Sequence, residues 1–446
     1  MRAPAPLVAM VLVASAFLGA GCLDPQDVFD HPFDPVVGGS VPLFGALINV
    51  TGPGHRETSL ALSPTDPSLI FLCDPSGVPN TSYKQSYFYR STDAGETWEK
   101  VIVKTEPTDP RQATFEGGDC DVAFDKAGTM YSADSWLGSI SVGASRDGGK
   151  TWTTGTPLAG LAPVADRPWL VGGPGGTVHL TYQDLQCCMP SAIWYARSTD
   201  YGRTFTPPVS VAAATAEGEY TWEGNYVVSP DAKQLHLIYT RRPDNGGSLE
   251  TYPPDEVYVA SSRDGGASWT SKLVSKREGP ASFLYPSIGL DKGGILHAVW
   301  AERTKTDHPI FYSYSKDEAR TWSKPVKLLE DVGAYSPWIE GGEKGQAAVQ
   351  WYGTDTPLPD ISKKAPWWTF WAQVRGADAD ELDIVWGTTT KKPIFNGVQG
   401  ETPEFNQIRL DAEGRMHFGV SYRAVNQQNR TVWQIGYQVQ SGGPTV

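Results

Sequence analysis

The chain carries a recurring pattern of apolar run, turn and second apolar run. Apolar residues alternate with polar ones, and the turns contain Gly, Asp or Pro, which is typical of a β-hairpin. The copies occupy residues 59–73, 121–134, 168–184, 225–240, 286–302, 337–353 and 406–422. A further short run follows most copies, as in SYFYRS, AIWYARS, EVYVASS and IFYSYS. Seven such units predict an all-β repeat fold.

An eight-residue motif recurs between these units. It reads STDAGETW at 91–98, SRDGGKTW at 145–152, STDYGRTF at 198–205, SRDGGASW at 262–269 and SKDEARTW at 315–322. Its Ser and Asp side chains can hold a turn by bonding nearby backbone N–H groups, and its Gly supplies a positive φ. The aromatic residue can then begin a strand and bury its ring. We interpret the motif as a structural clip, because an acid repeated at one fixed turn is a poor candidate for single-site catalysis.

The octet resembles the Asp-box, also called the BNR repeat, of sialidase-like β-propellers. The resemblance implies four-stranded blades around an axis, with each box on a turn between outer strands, away from the ligand face. Seven hairpins predict seven blades; the sialidases have six, so a six-bladed ring is the alternative. The last unit ends after its third strand, at QIGYQVQSGG. The apolar stretch at 41–50, VPLFGALINV, is therefore expected to supply the missing strand and close the ring.

The N-terminal segment predicts export. MRAPAPLVAMVLVASAFLGAGC has one Arg near its start, an apolar run too short to span a membrane, and small residues before Cys22. LGAGC resembles a lipobox, which implies a lipid on Cys22; an ordinary signal peptide is the alternative. We divide the chain into a signal peptide at 1–22, a flexible tether at 23–40 and a β-propeller domain at 41–446. The expected location is extracytoplasmic, at the cell surface, with the lipid as the only membrane contact.

Four further cysteines suit an exported protein, in which disulfides persist. In the implied blade geometry, Cys73 leaves the first unit and Cys120 enters the second, so both lie in adjacent loops on the ligand side. We therefore expect a Cys73–Cys120 disulfide. Cys187 and Cys188 then remain as a neighbouring pair, for which a strained vicinal disulfide and two free thiols are both open.

The resemblance also indicates which loops face the ligand, namely those entering the first strand and leaving the second strand of each unit. In sialidases three arginines hold the sugar carboxylate, a Tyr activated by a Glu is the nucleophile, and an Asp is the acid/base catalyst. By position, the resemblance implies Arg56, Arg241 and Arg303 for the sugar, Tyr335 with Glu223 for the nucleophile and its base, and Asp74 for the acid/base role. Arg167, in ADRPW, is a further substrate-binding candidate, or else forms a structural ion pair with Asp166.

Charge and motifs narrow the possible partners. The chain has 37 Lys and Arg against 50 Asp and Glu, a net charge of −13, which argues against nucleic acid. It contains no P-loop, no GxGxxG opening a helix and no HExxH. No cofactor is expected. Ca²⁺ is the metal alternative, through Asp119, Asp121, Asp134 and Asp184.

Together these features favour an exported, monomeric, sialidase-like propeller that engages glycans at the cell surface. Exo-glycosidase hydrolysis of the sialidase type is the enzymatic form of this hypothesis. The alternative is a non-catalytic propeller that uses the same face to bind a surface protein or to act in assembly.

Overall fold

The computed structural model describes most of the chain from residue 41 onwards. The described ranges are 41–51, 56–75, 86–103, 118–136, 139–155, 165–184, 192–213, 220–242, 256–276, 286–302, 308–329, 333–356, 363–379, 381–426 and 428–446. Within them the regular structure is β-strand, apart from two short 3-10 segments at Pro174–Gly176 and Gln399–Glu401. No helix in these ranges is long or apolar enough to span a bilayer.

Seven antiparallel sheets follow one another along the chain as the blades of a propeller. Blade 1 consists of Ser59–Leu62, Ile70–Asp74, Tyr87–Ser91 and Glu99–Val101; blade 2 of Cys120–Phe124, Met130–Trp136, Ser139–Ser145 and Thr153–Gly155. Blade 3 consists of Ala165–Gly172, Val178–Asp184, Ala192–Ser198 and Val209–Ala213; blade 4 of Tyr220–Val228, Leu235–Arg242, Glu256–Ser262 and Thr270–Lys276. Blade 5 consists of Ser287–Leu290, Leu296–Ala301, Ile310–Ser315 and Val326–Lys327.

The last two blades depart from this plain pattern. Blade 6 consists of Gly333–Gly341, Ala347–Thr354, Ala365–Arg375 and Asp383–Thr388, with Phe395–Gly397 paired to the start of its third strand. Blade 7 takes Ile408–Leu410, Met416–Val425 and Thr431–Gly442 from the end of the chain. The first strands of neighbouring blades contact one another, so the first strand of each blade is its inner strand.

An N-terminal segment completes blade 7. Leu43–Phe44 and Ile48–Asn49 both pair antiparallel with Thr431–Gly442, and Ile48 lies opposite Tyr437. Without these residues the last strand would present an unpaired edge to solvent. The predicted seven blades and the predicted N-terminal closure are confirmed, and the six-bladed alternative is wrong.

At one equivalent position of the inner strands, a residue links its blade to the next one around the axis. Its side chain accepts a hydrogen bond from a backbone N–H of the next blade, which satisfies a donor at the narrow centre of the ring. These bonds are 2.7 to 3.2 Å long. The acceptors and the residues that donate their N–H are Ser59 Oγ and Val122, Asp121 Oδ2 and Leu170, Asn225 Oδ1 and Ile288, Ser287 Oγ and Ile339, and Gln407 Oε1 and Leu60. These five acceptors, with Trp169 and Trp338 at the two remaining blades, are called the axial ring.

The two tryptophans of the axial ring meet across the channel. The ring centroids of Trp169 and Trp338 lie 5.3 Å apart, and Phe405 lies 5.3 Å from Trp169, edge to face. All three residues are buried. They form an aromatic plug between a funnel, on the face where the inner strands begin, and a cavity on the Asp-box face.

Each octet closes a turn through its Ser and Asp side chains. In the first octet, Ser91 Oγ and Thr97 Oγ1 donate to the two carboxylate oxygens of Asp93 at 2.7 and 2.5 Å. The Gly95 N–H donates to Ser91 Oγ at 2.8 Å, and the Trp98 indole N–H donates to the Gly95 carbonyl at 3.1 Å. The Ser–Asp and Asp–Thr or Asp–Ser bonds recur at Asp147, Asp200, Asp264 and Asp317. The interpretation of the octet as a structural clip is confirmed.

The clip also joins neighbouring blades. Tyr195 of blade 3 packs edge to face on Trp269 of the blade 4 octet, with 5.5 Å between ring centroids. Its hydroxyl donates to the Gly265 carbonyl at 3.3 Å. Gly266 lies directly against the same ring, because a Cβ built on it would come within 2.0 Å of Tyr195. Only glycine therefore fits this position, which also has a φ of +93°.

Gly266→Ala tests this close packing. We expect it to lower the free energy of unfolding by about 2–4 kcal/mol, because a strained positive φ and an overpacked contact each cost about 1–3 kcal/mol. Gly294→Ala is the matched control: it has a φ of +86°, and no described atom lies within 4 Å of its Cβ position. The control should lose only about 1 kcal/mol in denaturant unfolding. Equal losses in the two variants would contradict the packing argument.

Candidate functional site

A bulge in the inner strand of blade 3 places Arg167 at the centre of the funnel. Asp166 pairs with Gln183 and Trp169 pairs with Thr181, so two residues of the inner strand stand opposite one residue of its neighbour. Arg167 takes a left-handed backbone conformation, with a φ of 53°. This conformation is strained for a non-glycine residue, and a bulge of this kind re-aims the side chain. The guanidinium is thereby directed across the axis.

The Arg167 guanidinium is ion-paired with two carboxylates. Its Nη2 lies 2.7 Å from Oε2 of Glu404, which precedes the inner strand of blade 7, and its Nε lies 3.5 Å from Oδ2 of Asp166. Its Cζ lies 4.5 Å from the centroid of the Trp222 ring. The Arg167 side chain is only 5 % exposed, so the cation depends on these neighbours. The contacts join blades 3, 4 and 7 across the funnel.

Glu57 lies beside this ion pair and resists ionisation. Burial, with the negative charges of Glu404 and Asp74, raises the pKa of the Glu57 carboxyl to about 7, against the opposing charges of Arg167 and Arg56. Near neutral pH this group is therefore poised between its acid and carboxylate forms. A carboxyl group in this state can act as a proton donor.

Two more carboxyl groups near Arg167 have raised pKa values. Burial, together with the charge of Asp166, raises the pKa of Asp119 well above its usual value. Burial likewise raises the pKa of Glu223 well above its usual value, although Thr181 and Arg167 act in the opposite direction. The funnel therefore combines ion-paired carboxylates with carboxyl groups whose pKa values are raised by burial.

Tyr335 enters the funnel through a second bulge. Tyr335 pairs with Tyr352 and Trp338 pairs with Gln350, and Ser336 between them has a φ of 50°. Burial raises the pKa of Tyr335 above its ordinary value, and the charge of nearby Glu404 acts in the same direction while that of Arg167 opposes it. The phenol is thus neutral at physiological pH.

Ser336 also fixes the position of Glu404. Its Oγ lies 2.7 Å from the Glu404 carbonyl and 2.9 Å from the Pro403 carbonyl. A single hydroxyl of blade 6 thereby holds the loop that carries the ion-pair partner of Arg167.

The hydrogen bond predicted between Tyr335 and Glu223 is absent. The Glu223 side chain is buried, and neither of its carboxylate oxygens receives a hydrogen bond from a described residue. Both residues still lie close enough to Arg167 for its charge to act on their pKa values. The nucleophile and base roles assigned to them remain predictions.

Two of the three arginines predicted to hold a sugar carboxylate, Arg56 and Arg241, lie in the described part of the chain. Arg241 Nη2 lies 3.0 Å from Glu256 Oε2, and Arg241 also stacks on Tyr258 at 4.9 Å. Arg56 has an exposed side chain. Arg303 lies outside the described residues. The ion pair predicted as the alternative role of Arg167, to Asp166, is formed, and a second one to Glu404 accompanies it.

Asp74, the predicted acid/base catalyst, holds a loop in place. Its side chain is buried, and its Oδ1 accepts the backbone N–H groups of Arg56 and Glu57, each at 3.1 Å. Next to it, the predicted Cys73–Cys120 disulfide is present, with 6.3 Å between the Cα atoms. The remaining cysteines, Cys22, Cys187 and Cys188, lie outside the described residues.

Two of the four acids considered for Ca²⁺ have protein partners. Asp121 accepts the Leu170 N–H at 2.7 Å, and Asp134 accepts both the N–H and the hydroxyl of Ser86 at 2.7 and 2.9 Å. In the described part of the chain, no group of three or more His, Cys, Asp or Glu residues could hold a metal.

Sequence reasoning gave no part in proton transfer to Glu57, Asp119 or Glu404, and it considered Asp119 only as a candidate ligand of Ca²⁺. A signal was available for the first two, because Glu57, Asp119 and Arg167 each stand two residues before a member of the axial ring. Side chains two apart on a strand point to the same side, so these groups face the axis together. Glu404 lies outside this pattern, and its contact with Arg167 joins residues 237 positions apart.

Comparison with known families agrees with the clip geometry. The sequence profile of the BNR/Asp-box repeat matches residues 89–100, which include the first octet. This chain is a seven-bladed β-propeller with Asp-box repeats. No curated protein sequence matches this Asp-box propeller significantly.

Two polysaccharide lyases of solved structure share the fold of the Asp-box propeller at low sequence identity. The polysaccharide lyase Uly1 is 9% identical, with a TM-score of 0.53 over 91% of this chain and 98% of its own. An ulvan lyase bound to -[GlcA(1-4)Rha3S]- is 12% identical, with a TM-score of 0.52 over 88% of this chain and 95% of its own. An α-L-arabinanase of Penicillium chrysogenum, complexed with arabinobiose, is 12% identical, with a TM-score of 0.48 over 89% of this chain and 98% of its own.

Glu57→Gln should change the pH dependence of stability. Because the folded-state pKa of Glu57 is raised from 4.5 to about 7, the unfolded chain loses this proton first as the pH rises. Wild-type stability therefore falls between these two values, by at most about 3 kcal/mol from this group. The Gln variant lacks this loss, so its stability relative to wild type should rise from pH 4.5 to 7 in denaturant unfolding. Glu96→Gln, on the exposed surface, is the control; a parallel pH profile for all three proteins would refute the assignment.

Proposed function

We propose that this Asp-box propeller binds a glycan in the funnel and hydrolyses a glycosidic bond there. The observation that carries the proposal is Glu57, a carboxyl with a pKa raised to about 7, beside Glu404, a carboxylate ion-paired with Arg167 at 2.7 Å. Glycoside hydrolysis needs such a pair, one carboxyl group protonated and one ionised. The fold likeness to two polysaccharide lyases supports a glycan as the ligand.

In the proposed reaction the two carboxyl groups divide the proton transfers. Glu57 donates its proton to the glycosidic oxygen as the bond from that oxygen to the anomeric carbon breaks. Glu404, whose side chain is 42% exposed, takes a proton from a water molecule whose oxygen bonds to the anomeric carbon. Arg167 keeps Glu404 ionised before the reaction, and Ser336 fixes its backbone.

The charges of the funnel favour a neutral glycan over an anionic one. A sugar carboxylate would meet the carboxylates of Asp166 and Glu404, while the Arg167 cation is already paired with these two acids. Sialidase-type hydrolysis would need arginines that are free to bind the sugar carboxylate through two parallel hydrogen bonds. It is therefore the second candidate, and it depends on Arg303 or another residue joining the site.

Two half-buried aromatic rings suit the glycan hypothesis. Trp222, which carries Arg167 over one face at 4.5 Å, and Tyr335 are both partly exposed in the funnel. Sugar-binding clefts combine apolar and aromatic surfaces with a few polar groups that fix orientation. In this proposal Trp222 and Tyr335 provide that surface, and the carboxyl groups provide the chemistry.

Export with a lipid on Cys22 belongs to the same proposal. The Cys73–Cys120 disulfide supports it, because disulfides persist in oxidising compartments. In a bacterial host, the wild-type chain should fractionate with membranes and incorporate an alkyne-labelled fatty acid, and Cys22→Ala should abolish both. Labelling that survives in Cys22→Ala would refute the lipidation site, and a cytoplasmic wild-type protein would refute export.

A substrate panel tests the proposed hydrolysis. We expect turnover of neutral substrates, such as arabino-oligosaccharides or aryl glycosides, and little turnover of ulvan or sialyl-oligosaccharides, measured as reducing ends and as unsaturated product. Glu57→Gln and Glu404→Gln should each lower kcat by about 10²–10⁴-fold, as expected for loss of a general acid or base. Glu96→Gln, on the exposed surface, should retain full activity.

The panel also separates the alternatives. Cleavage of the sialyl substrate would favour the sialidase form of the hypothesis, and unsaturated product from ulvan would favour elimination. Full activity in Glu57→Gln would exclude Glu57 as the acid. Binding of glycans without turnover would leave a glycan-binding propeller, and no binding of any glycan would favour the protein-partner alternative.

A further inference from the structure

A second chamber lies on the other side of the aromatic plug. It is a cavity of about 480 Å³ that opens towards the Asp-box face and is lined by inner-strand residues of all seven blades. Trp169 and Trp338 close its inner end. The cavity contains none of the funnel residues described above, so it is a separate site.

The wall of this cavity combines apolar inner-strand residues with charged ones. The charged residues that line it are Asp121, Asp125, Lys126, Asp291, Lys292, Glu340 and Arg409. Because side chains alternate between the two faces of a strand, the residue two positions after each member of the axial ring also faces the axis. In five blades this position is small or apolar: Ala61, Ala123, Val171, Val227 and Gly289. In the remaining two, adjacent blades it is Glu340 and Arg409, whose carboxylate and guanidinium lie 3.4 Å apart.

Arg409 presents unused donors to the cavity. Its Nη1 donates to the Ile408 carbonyl at 3.1 Å and to Glu340 Oε2 at 3.4 Å, and its Nη2 donates to Gln407 Oε1 at 2.7 Å. Among the described residues, no acceptor takes the Nε–H or the second Nη2 hydrogen. A guanidinium has five N–H groups in a planar fork, and the free edge matches a carboxylate.

Glu340 presents an unused acceptor next to that edge. Its Oε2 faces Arg409, and its Oε1 accepts no hydrogen bond from a described residue. Burial raises the pKa of Glu340, against the opposing charge of Arg409. A second cation beside Glu340 would therefore stabilise the ionised carboxylate.

We propose that this cavity binds a small zwitterion with an apolar body, such as an aliphatic amino acid. The ligand's carboxylate lies on the free edge of Arg409, its ammonium group donates to Glu340 Oε1, and its side chain packs along Val171 and Val227. At this level of the inner strands Glu340 and Arg409 are the charged residues, and a partly buried charge pair is poorly explained by stability, since such pairs are often neutral or destabilising compared with apolar residues. The proposal is independent of the function assigned to the funnel.

L-Leucine is the probe for this site. Saturable binding should appear in calorimetry and as a rise in melting temperature of the whole protein. 4-Methylpentanoate lacks the ammonium group and isoamylamine lacks the carboxylate, so each should bind at least about tenfold more weakly. Glycine, without the apolar body, should also bind more weakly.

Variants assign the binding to the charge pair. Arg409→Met and Glu340→Gln should each weaken L-leucine binding by about tenfold or more. Arg415→Met is the matched control, because Arg415 is 46% exposed, pairs with Asp411 and lies outside the cavity. If Arg409→Met does not fold, the near-isosteric Glu340→Gln decides alone. Absence of L-leucine binding to the wild type, or binding that Glu340→Gln leaves unchanged, would overturn the proposal and leave an inter-blade ion pair only.

Discussion

The axial ring is the contact on which the rest of this propeller depends. Seven inner strands converge at the axis, where there is little room for water to satisfy their backbone donors. At five of the seven positions, one side chain accepts an N–H of the next blade, at 2.7 to 3.2 Å. Each bond contributes only about 1 kcal/mol, but together the bonds fix the register of neighbouring inner strands. Side chains two residues earlier then face the funnel, and those two residues later face the opposite cavity.

The two exceptions in the ring divide the channel. Trp169 and Trp338 give up the inter-blade bond and pack against each other instead, at 5.3 Å. The strands that carry them are bulged just before these residues, and the bulges direct Arg167 and Tyr335 into the funnel. The two bulged strands therefore both close the channel with their tryptophans and place Arg167 and Tyr335 in the funnel. They also leave two chambers of different chemistry. One is rich in carboxyl groups, and the other has a level of small and apolar side chains that is interrupted by the Glu340–Arg409 pair.

Sequence patterns predicted the fold more fully than the site. Period-2 hairpins and Asp-boxes are local signals, so they revealed seven blades, and the unpaired last unit revealed the N-terminal closure. The Cys73–Cys120 disulfide followed from loop adjacency. The site depends on two features that local sequence patterns do not reveal. They are the left-handed backbone conformation of Arg167 and its ion pair with Glu404 across the ring. For this reason the family resemblance directed attention to Arg56 and Arg241, while Glu57 was overlooked and Asp119 was considered only for Ca²⁺.

The central claim is that the funnel holds a protonated carboxyl group beside an ion-paired carboxylate. Carboxyl-carbon NMR of the glutamate-labelled protein measures this directly, with Glu57→Gln to assign the resonance. The account predicts one glutamate that titrates at about pH 7 in the wild type and is missing from the variant. If the Glu57 resonance instead titrates in the ordinary range of about 4 to 5, the funnel has no such proton donor, and the proposed hydrolysis loses its physical basis.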